Sequence, residues 1–151
     1  MKLIKISTNL ELSVHDFPEG SIREQNRQLR ALIGDGCDMY EHVKPARLYE
    51  ELMMQASPTE IPGQCVSMLV DEDGLFKDWN PNLIGSYLYK TDEHRHPIMG
   101  NILFIGEVLR DGEIDFCGID EEVFELLERE LRNMIMVMKL FKEVRACSSR
   151  S

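Results

Sequence analysis

The sequence predicts a single α+β domain, and three observations predict it. Residues 2–7 and 10–17 each alternate polar and apolar side chains, which is the period of β-strands. A capping box at Ser21 opens a short helix after this first hairpin. Residues 120–145 form one long helical pattern at the C-terminal end. We therefore expect one domain over residues 1–147, with 148–151 as a disordered tail.

The first third of the chain predicts strand, strand, helix, strand and helix in that order. Thr8-Asn9 is the expected hairpin turn, since Asn tolerates positive φ. The Ser21 hydroxyl should accept the Glu24 backbone N–H, and the Glu24 carboxylate should reach back to the Ser21 N–H. Gly34 should end that helix. Residues 37–44 predict a strand, and Pro45 opens a short helix with its inward residues at Leu48, Leu52 and Met53.

The middle of the chain predicts two buried strands separated by turns. Residues 65–70 are apolar, and 71–74 predict a tight turn with glycine at the positive-φ position. Asn80-Pro81 should cap a short helical turn that runs to Tyr87. Residues 98–108 are the most apolar segment, so we expect the central strand there.

The last helix is apolar around nearly its whole circumference in its final turns. Asp120 is the expected cap, with Ile119 and Phe124 at the positions of a hydrophobic staple. One domain face accounts for only a stripe of such a helix. We therefore expect a homo-oligomer interface on this helix, with burial inside one domain as the alternative. The expected interface residues are Met134, Val137, Met138 and Phe141.

The chain is acidic: 17 basic residues stand against 27 acidic ones, for a net charge of -10. Such a surface repels phosphate backbones, which argues against direct nucleic-acid binding. Acidity serves solubility, and it would also suit a mimic that titrates a basic partner. No segment is apolar over membrane-spanning length and the N-terminus is not a signal peptide, so we expect no membrane association and a cytoplasmic location.

The four cysteines lie far apart, at Cys37, Cys65, Cys117 and Cys147, with no C-x-x-C pair. This spacing disfavours a structural zinc site, and a reducing compartment favours free thiols. No phosphate-binding glycine loop and no nucleophile motif is present. We assign no catalytic residue and no cofactor.

His94 and His96 are the nearest approach to a metal site. In an extended segment, residues two apart point to the same side, so both imidazoles would reach one ion. A third ligand would be needed, such as Asp92 or His42. A solvated polar loop before Pro97 is the alternative.

A second candidate site combines aromatic rings with amides between a turn and a short helix. Such a mixture is typical of a pocket for a small polar ligand. The alternative is that an asparagine caps the turn while the aromatic rings pack in the core. The candidate residues are Trp79, Asn80, Asn82, Tyr87 and Tyr89.

Three segments taken in order resemble a family catalogued as domain of unknown function 3846. They are 29–34, ending at glycine; 68–75 followed by Asn80-Pro81-Asn82; and Tyr89 followed by 97–106. The resemblance covers about residues 1–108 and implies a small protein carried by phages, prophages or plasmids. It also implies a closed, mostly antiparallel sheet crossed by one helix. We therefore expect a mostly antiparallel, partly closed sheet, to which 120–145 adds a long helix.

These observations favour a non-enzymatic binding protein, such as a mobile-element accessory or counter-defence factor. It would sequester a small polar or nucleotide-like ligand or bind a host protein. Two alternatives are a metal-dependent hydrolase that uses His94 and His96, and the acidic mimic.

Overall fold

Six antiparallel strands form one open sheet in the computed structural model, which describes residues 1–34, 36–77 and 79–149, with side chains described to Val144. The strands are β1 (Lys2–Ile6), β2 (Leu12–Asp16), β3 (Tyr40–Val43), β4 (Cys65–Asp71), β5 (Ile102–Arg110) and β6 (Glu113–Cys117). The helices are α1 (Ile22–Ile33), α2 (Ala46–Glu51), α3 (Leu83–Leu88), α4 (Thr91–His94) and α5 (Glu121–Ser149).

The strand order is β2-β1-β5-β4-β3, and β6 pairs with the C-terminal part of β5, beyond the residues that pair with β1. This confirms the α+β class and the central position of β5. The expected partial closure is not found, because β2 and β3 remain as the two edges of the sheet.

Alternation along β5 divides the apolar residues between two cores. Ile102 and Phe104 face a core covered by α2, α3 and α5, while Leu103 and Ile105 face a smaller core covered by α1. All four side chains are fully buried. The sheet therefore lies between two helical layers. Among the described residues, α1 is the one regular helix that packs on its side of the sheet.

One of the two predicted capping hydrogen bonds of α1 is found. Ser21 Oγ accepts the Glu24 backbone N–H at 3.2 Å. The Glu24 carboxylate does not reach back to Ser21 but accepts from Arg27 (2.5 Å) and Gln28 (3.1 Å). Side-chain donors on the helix surface compete successfully for an exposed carboxylate.

Several local predictions are wrong in position. The positive φ of the first hairpin falls on Leu10 (62°) instead of Asn9. Met53 is 85% exposed, and Met54 takes the inward place. Gly74 has no positive φ; a Cβ there would lie 3.1 Å from the Met99 carbonyl oxygen, so close packing explains the glycine.

Strand β6 is an element that the sequence analysis did not assign. It pairs with β5 after a turn at Asp111-Gly112, whose φ angles are 51° and 78°. An Asp-Gly pair between alternating segments is a strong hairpin signal, and it was available in the sequence.

The long helix begins where predicted, since Asp120 Oδ2 accepts the Val123 N–H at 3.4 Å. It continues to Ser149, so residues 148–149 are helical and not part of a disordered tail. Residues 150–151 lie outside the described residues, as do the side chains of Cys147 and its neighbours. None of the described helices combines the length and the apolar character needed to cross a membrane.

Candidate functional site

A groove of about 390 Å³ lies between α1 and β6 on the α1 face of the sheet. Its walls contain aromatic, amide and charged side chains. We call it the α1–β6 groove. Its lining residues are Phe17, Ile22, Gln25, Asn26, Leu29, Tyr40, Arg110, Ile114, Asp115 and Phe116.

Tyr40 and Phe116 form the inner wall of this groove. They come from β3 and β6, which flank the β4–β5 pair, and their ring centroids are 6.2 Å apart. The Tyr40 hydroxyl donates to Asn26 Oδ1 at 2.5 Å, which fixes the orientation of that amide. Among the described residues, Asn26 Nδ2 has no hydrogen-bond partner, so its two N–H groups are available to a ligand.

Gln25 provides a second amide on the same helix. Its Nε2 donates to the Gly20 carbonyl at 3.3 Å, and this leaves Oε1 as an acceptor. At the groove edge, Arg110 and Asp115 are paired at 3.7 Å. The groove thus offers an aromatic face, a donor, an acceptor and a neutralised charge pair.

A buried polar cluster adjoins the groove behind Phe116. The His42 ring centroid is 5.4 Å from that of Phe116, and His42 Nε2 lies 2.5 Å from Glu107 Oε1. Glu107 is fully buried on β5 and also accepts from Lys44 Nζ at 3.1 Å on each oxygen, and from Ser67 Oγ. We call His42, Lys44, Cys65, Ser67 and Glu107 the Glu107 cluster.

The cluster keeps Glu107 ionised. Burial alone would raise the pKa of Glu107, but hydrogen bonds from His42, Ser67 and Lys44 outweigh it and lower that pKa to about 2. Two side chains of the cluster are partly exposed, with 34% of the His42 side chain and 42% of the Lys44 side chain accessible. The carboxylate therefore holds two surface side chains in place from below.

The nucleophile candidates of the cluster are poorly placed for chemistry. Cys65 and Ser67 are fully buried beneath His42 and Lys44. Burial and the neighbouring Glu107 carboxylate raise the pKa of Cys65 to about 12, so the thiol stays protonated and unreactive. With a pKa of about 2, Glu107 is also a weak base at neutral pH.

The structure does not bring together the five residues predicted to line a ligand pocket. Trp79 packs in the α1-side core, where a Cβ on Gly100 would lie 2.2 Å from its ring, and Lys77 Nζ is 4.9 Å from its ring centroid. Tyr87 and Tyr89 pack against the opposite core. Tyr87 donates to Glu51 at 2.8 Å, and the Tyr89 ring contacts His94.

Asn82 has a structural role in place of the predicted capping by Asn80. It is fully buried, its Oδ1 accepts the Gly85 N–H at 3.0 Å, and its Nδ2 donates to the carbonyls of Ile6 and Gly100, each at 3.0 Å. Asn80 is exposed, and Pro81 forms a β-bridge with Met99. The Asn82 side chain thus donates two hydrogen bonds to the protein backbone and accepts one from it.

His94 and His96 do come together, with stacked rings 5.3 Å apart. Both ring nitrogens of His94 are engaged, since Nε2 donates to the Tyr89 carbonyl (2.7 Å) and Nδ1 accepts the His96 N–H (3.1 Å). The suggested third ligands are elsewhere: Asp92 binds Arg47, and His42 binds Glu107. Within 1–34, 36–77 and 79–149, no group of three or more metal-ligating side chains is arranged around one point.

The four predicted interface residues divide into two pairs. Met134 and Met138 are partly buried against the core, whereas Val137 and Phe141 are 46% and 67% exposed. The exposed apolar positions of α5 therefore include Val137 and Phe141 of the predicted set, together with Met136, Leu140 and Val144, which were not predicted.

Sequence reasoning missed the groove and the Glu107 cluster. The signal for the cluster was a single carboxylate inside the most apolar strand, where a charge requires buried partners. The groove had no local signal, because α1, β3 and β6 each contribute only a few of its residues.

The fold and the groove define an open-sheet α+β protein with a partly aromatic groove beside a buried ion cluster. In comparisons with known proteins, no family model, no curated protein and no solved structure matched the chain.

Proposed function

We propose that this protein is a non-enzymatic binding protein that holds a small, planar, polar ligand in the α1–β6 groove. The observation that carries the proposal is the pairing of the Tyr40 and Phe116 rings with the oriented amide of Asn26. An aromatic face stacks on a planar ring, and an amide with free N–H groups recognises its polar edge. A volume of about 390 Å³ suits a nucleobase or nucleoside.

The charge of the protein favours a neutral ligand over a phosphorylated one. The net charge of -10 repels anions, and the cation at the groove edge, Arg110, is already paired with Asp115. A neutral heterocycle meets no such repulsion. We therefore place nucleosides ahead of nucleotides within the nucleotide-like class.

Binding is favoured over catalysis by the state of the adjoining cluster. Its hydroxyl and thiol are inaccessible, and its carboxylate is held ionised by three donors. Such a network positions side chains and does not activate a nucleophile. The resemblance to the phage and plasmid family supports an accessory role, in which sequestering a host signal would be counter-defence.

Calorimetric titration of the native chain with adenine, adenosine, guanosine and cytidine tests the proposal. The 5′-monophosphate of each of the three nucleosides is titrated in parallel. We expect at least one base or nucleoside to bind, with its monophosphate weaker. Asn26→Ala should weaken binding about tenfold or more, since it removes one oriented hydrogen-bonding group. Phe116→Leu should weaken it by removing the aromatic face while keeping an apolar side chain of similar size.

Asn80→Ala is the matched control, because it deletes an exposed amide at the site predicted from sequence. If Asn80→Ala lost binding while Asn26→Ala bound normally, the ligand would lie at the site of Asn80. That result would refute binding in the α1–β6 groove. Absence of binding across the panel, together with no small molecule released from the heat-denatured native protein by mass spectrometry, would refute sequestration itself.

A further inference from the structure

Strand β2 is an edge of the sheet, and the backbone groups on its outer side have no partner among the described residues. Beyond one end of the β1–β2 pair, the Phe17 N–H donates to the Met1 carbonyl at 3.0 Å. Beyond the other end, the Ser7 N–H donates to the Glu11 carbonyl at 3.0 Å. In an antiparallel pair such bonds recur at every second residue, so the odd-numbered residues of β2 bond to β1. The even-numbered residues therefore direct their N–H and C=O groups outward: Leu12, Val14 and Asp16.

The β2 edge has few of the features that protect edge strands from pairing with another strand. Pro, Lys and β-bulges commonly give that protection. β2 contains neither Pro nor Lys, and its register with β1 is regular over all five residues. Its acidic residue, Asp16, lies at one end and is paired with Lys2 of its own chain. Val14, at the centre, is apolar and 39% exposed. The edge is therefore open to a further strand.

A groove of about 520 Å³ lies beside this edge, between the start of β2 and one flank of α5. Leu12 lines the groove and packs against the core that α5 covers, so Leu12 and Val14 lie on the α5 side of the sheet. Met136 and Leu140 line the groove from α5 and are 57% and 55% exposed. A strand added to β2 would place alternate side chains against this flank of α5.

The strand that fits this edge is β2 of a second copy. In an antiparallel pair centred on Ser13, Leu12 of each copy lies opposite Val14 of the other. These are the residues whose backbone groups point outward, so each such pair exchanges both N–H···O=C bonds. Apolar side chains directly opposite one another stabilise the pairing. Centring the pair on Val14 would instead place Leu12 opposite Asp16, an apolar side chain against a charge.

We propose that two copies of this chain pair their β2 strands about a two-fold axis at Ser13, so that one sheet continues through both. A two-fold axis requires a surface that complements itself. The register satisfies this requirement in charge as well, because Glu11 lies opposite His15 of the other copy and not opposite a second carboxylate. Both α5 helices then lie on the same side of the shared sheet. Val14 of each copy covers the groove beside Leu12 of the other.

This dimer goes beyond the proposed binding function and does not use its site. The α1–β6 groove lies on the α1 side of the sheet, opposite to α5. The dimer also differs from the helix interface expected from the sequence. Val137 and Phe141 line a separate groove with Tyr87, on the other flank of α5.

Sedimentation equilibrium of the native chain between about 1 and 100 µM tests the dimer, for which we expect twice the 17.5 kDa chain mass. Val14→Pro should give a monomer with native circular dichroism. It removes an N–H that points away from β1, and edge strands tolerate Pro where the N–H faces solvent. Val14→Ile is the matched control: it keeps the N–H and an apolar side chain, and should remain dimeric.

Two neighbouring residues of α5 test whether the groove beside β2 is part of the interface. Leu140→Glu should raise the dimer dissociation constant about tenfold or more, because it places a charge where Val14 of the other copy packs. Phe141→Glu is the matched control, since Phe141 is 67% exposed but lies on the other flank of α5. It should leave the constant unchanged. Dissociation by Phe141→Glu but not by Leu140→Glu would refute the β2 interface.

Oxidative cross-linking tests the register. Ser13→Cys in a Cys147→Ser background should form a covalent dimer, because opposite residues at the axis have Cβ atoms about 4.5–5.5 Å apart. The three remaining cysteines are buried. Asp16→Cys in the same background should not cross-link, since the two copies of residue 16 lie about 20 Å apart along the strands.

Three results would overturn the proposal. A native chain that is monomeric at 100 µM would refute the dimer, and the edge would then be open to an extended segment of another protein. A dimer in which Asp16→Cys cross-links and Ser13→Cys does not would refute the register. Unfolding of Val14→Pro would show that the Val14 N–H serves its own sheet, and would refute the outward direction of that group.

Discussion

Lys44 and Glu107 form an ion pair that spans strand β4, with Lys44 Nζ 3.1 Å from both carboxylate oxygens. Lys44 follows β3 and Glu107 lies on β5, so the pair connects the two strands on either side of β4. Ser67 on β4 donates to the same carboxylate from between them. The fully buried charge is thereby compensated by partners that lie on or next to the two neighbouring strands.

This arrangement predicts a loss of stability in acid. The folded-state pKa of Glu107 is about 2, below its ordinary value of 4.5, so the unfolded chain takes up this proton first as pH falls. The stabilisation is complete above about pH 4.5 and is lost between there and pH 2, by roughly 3 kcal/mol. Urea unfolding of native protein and of Glu107→Gln at several pH values from 7 to 2.5 should show a shallower pH dependence for the variant.

Glu24→Gln is the control for that experiment. The pKa of Glu24 is also lowered to about 2, by hydrogen bonds from Arg27 and Gln28, but this carboxylate lies on the exposed surface of α1. Solvent and salt screen such a pair. In 0.5 M salt, the free energy of unfolding of Glu24→Gln should therefore change with pH nearly as it does for the native protein. Parallel slopes for native protein and Glu107→Gln would contradict the prediction.

Asn82→Ala should destabilise the fold by about 2–4 kcal/mol. It removes the cap of α3 and leaves the Ile6 and Gly100 carbonyls buried without their donor. Asn80→Ala, which changes an exposed amide two residues earlier, should stay within about 0.5 kcal/mol of native. Chemical denaturation of both variants measures the difference, and equal effects would contradict the structural role of Asn82.

Cys37, Cys65 and Cys117 should be free thiols that react slowly in the folded protein. All three are buried, and burial raises their pKa values to about 11, about 12 and about 11. Cys147 is outside the residues with described side chains, so Cys147→Ser provides the protein for labelling. The thiol reagent DTNB at pH 8 should modify three thiols rapidly only after denaturant is added. Rapid labelling of the folded protein would contradict the predicted protection of the thiols. A mass two hydrogens below that of the reduced chain, measured without reductant, would show a disulfide.

Zinc or manganese should not raise the melting temperature through His94 and His96. Coordination would require His94 to give up hydrogen bonds to the Tyr89 carbonyl and the His96 N–H. A ligand at a hundredfold its dissociation constant stabilises by about 2.7 kcal/mol, so real binding would shift melting by several degrees. A shift in native protein that disappears in the His94→Ala, His96→Ala double variant would support the hydrolase alternative.

Local signals in the sequence were sufficient for much of the secondary structure. Period-two alternation predicted β1 and β2, the long apolar run predicted β5, the Ser21 cap predicted α1, and the staple and charge pattern predicted α5. Each of these signals acts between residues a few positions apart, where the chain itself holds the partners together. The Asp111-Gly112 turn was a signal of the same kind for β6 that was not used.

The candidate site was decided by tertiary structure. His42 and Glu107 are 65 residues apart in the chain, and only the β3–β4–β5 pairing places the imidazole 2.5 Å from the carboxylate. The aromatic residues between 79 and 89 were divided between two faces of the sheet, while Tyr40 and Phe116, unremarkable in sequence, met on one face. Composition determined that this protein contains aromatic and amide side chains. Strand pairing decided which of them share a surface, because residues distant in sequence converge only when the sheet buries its apolar sides.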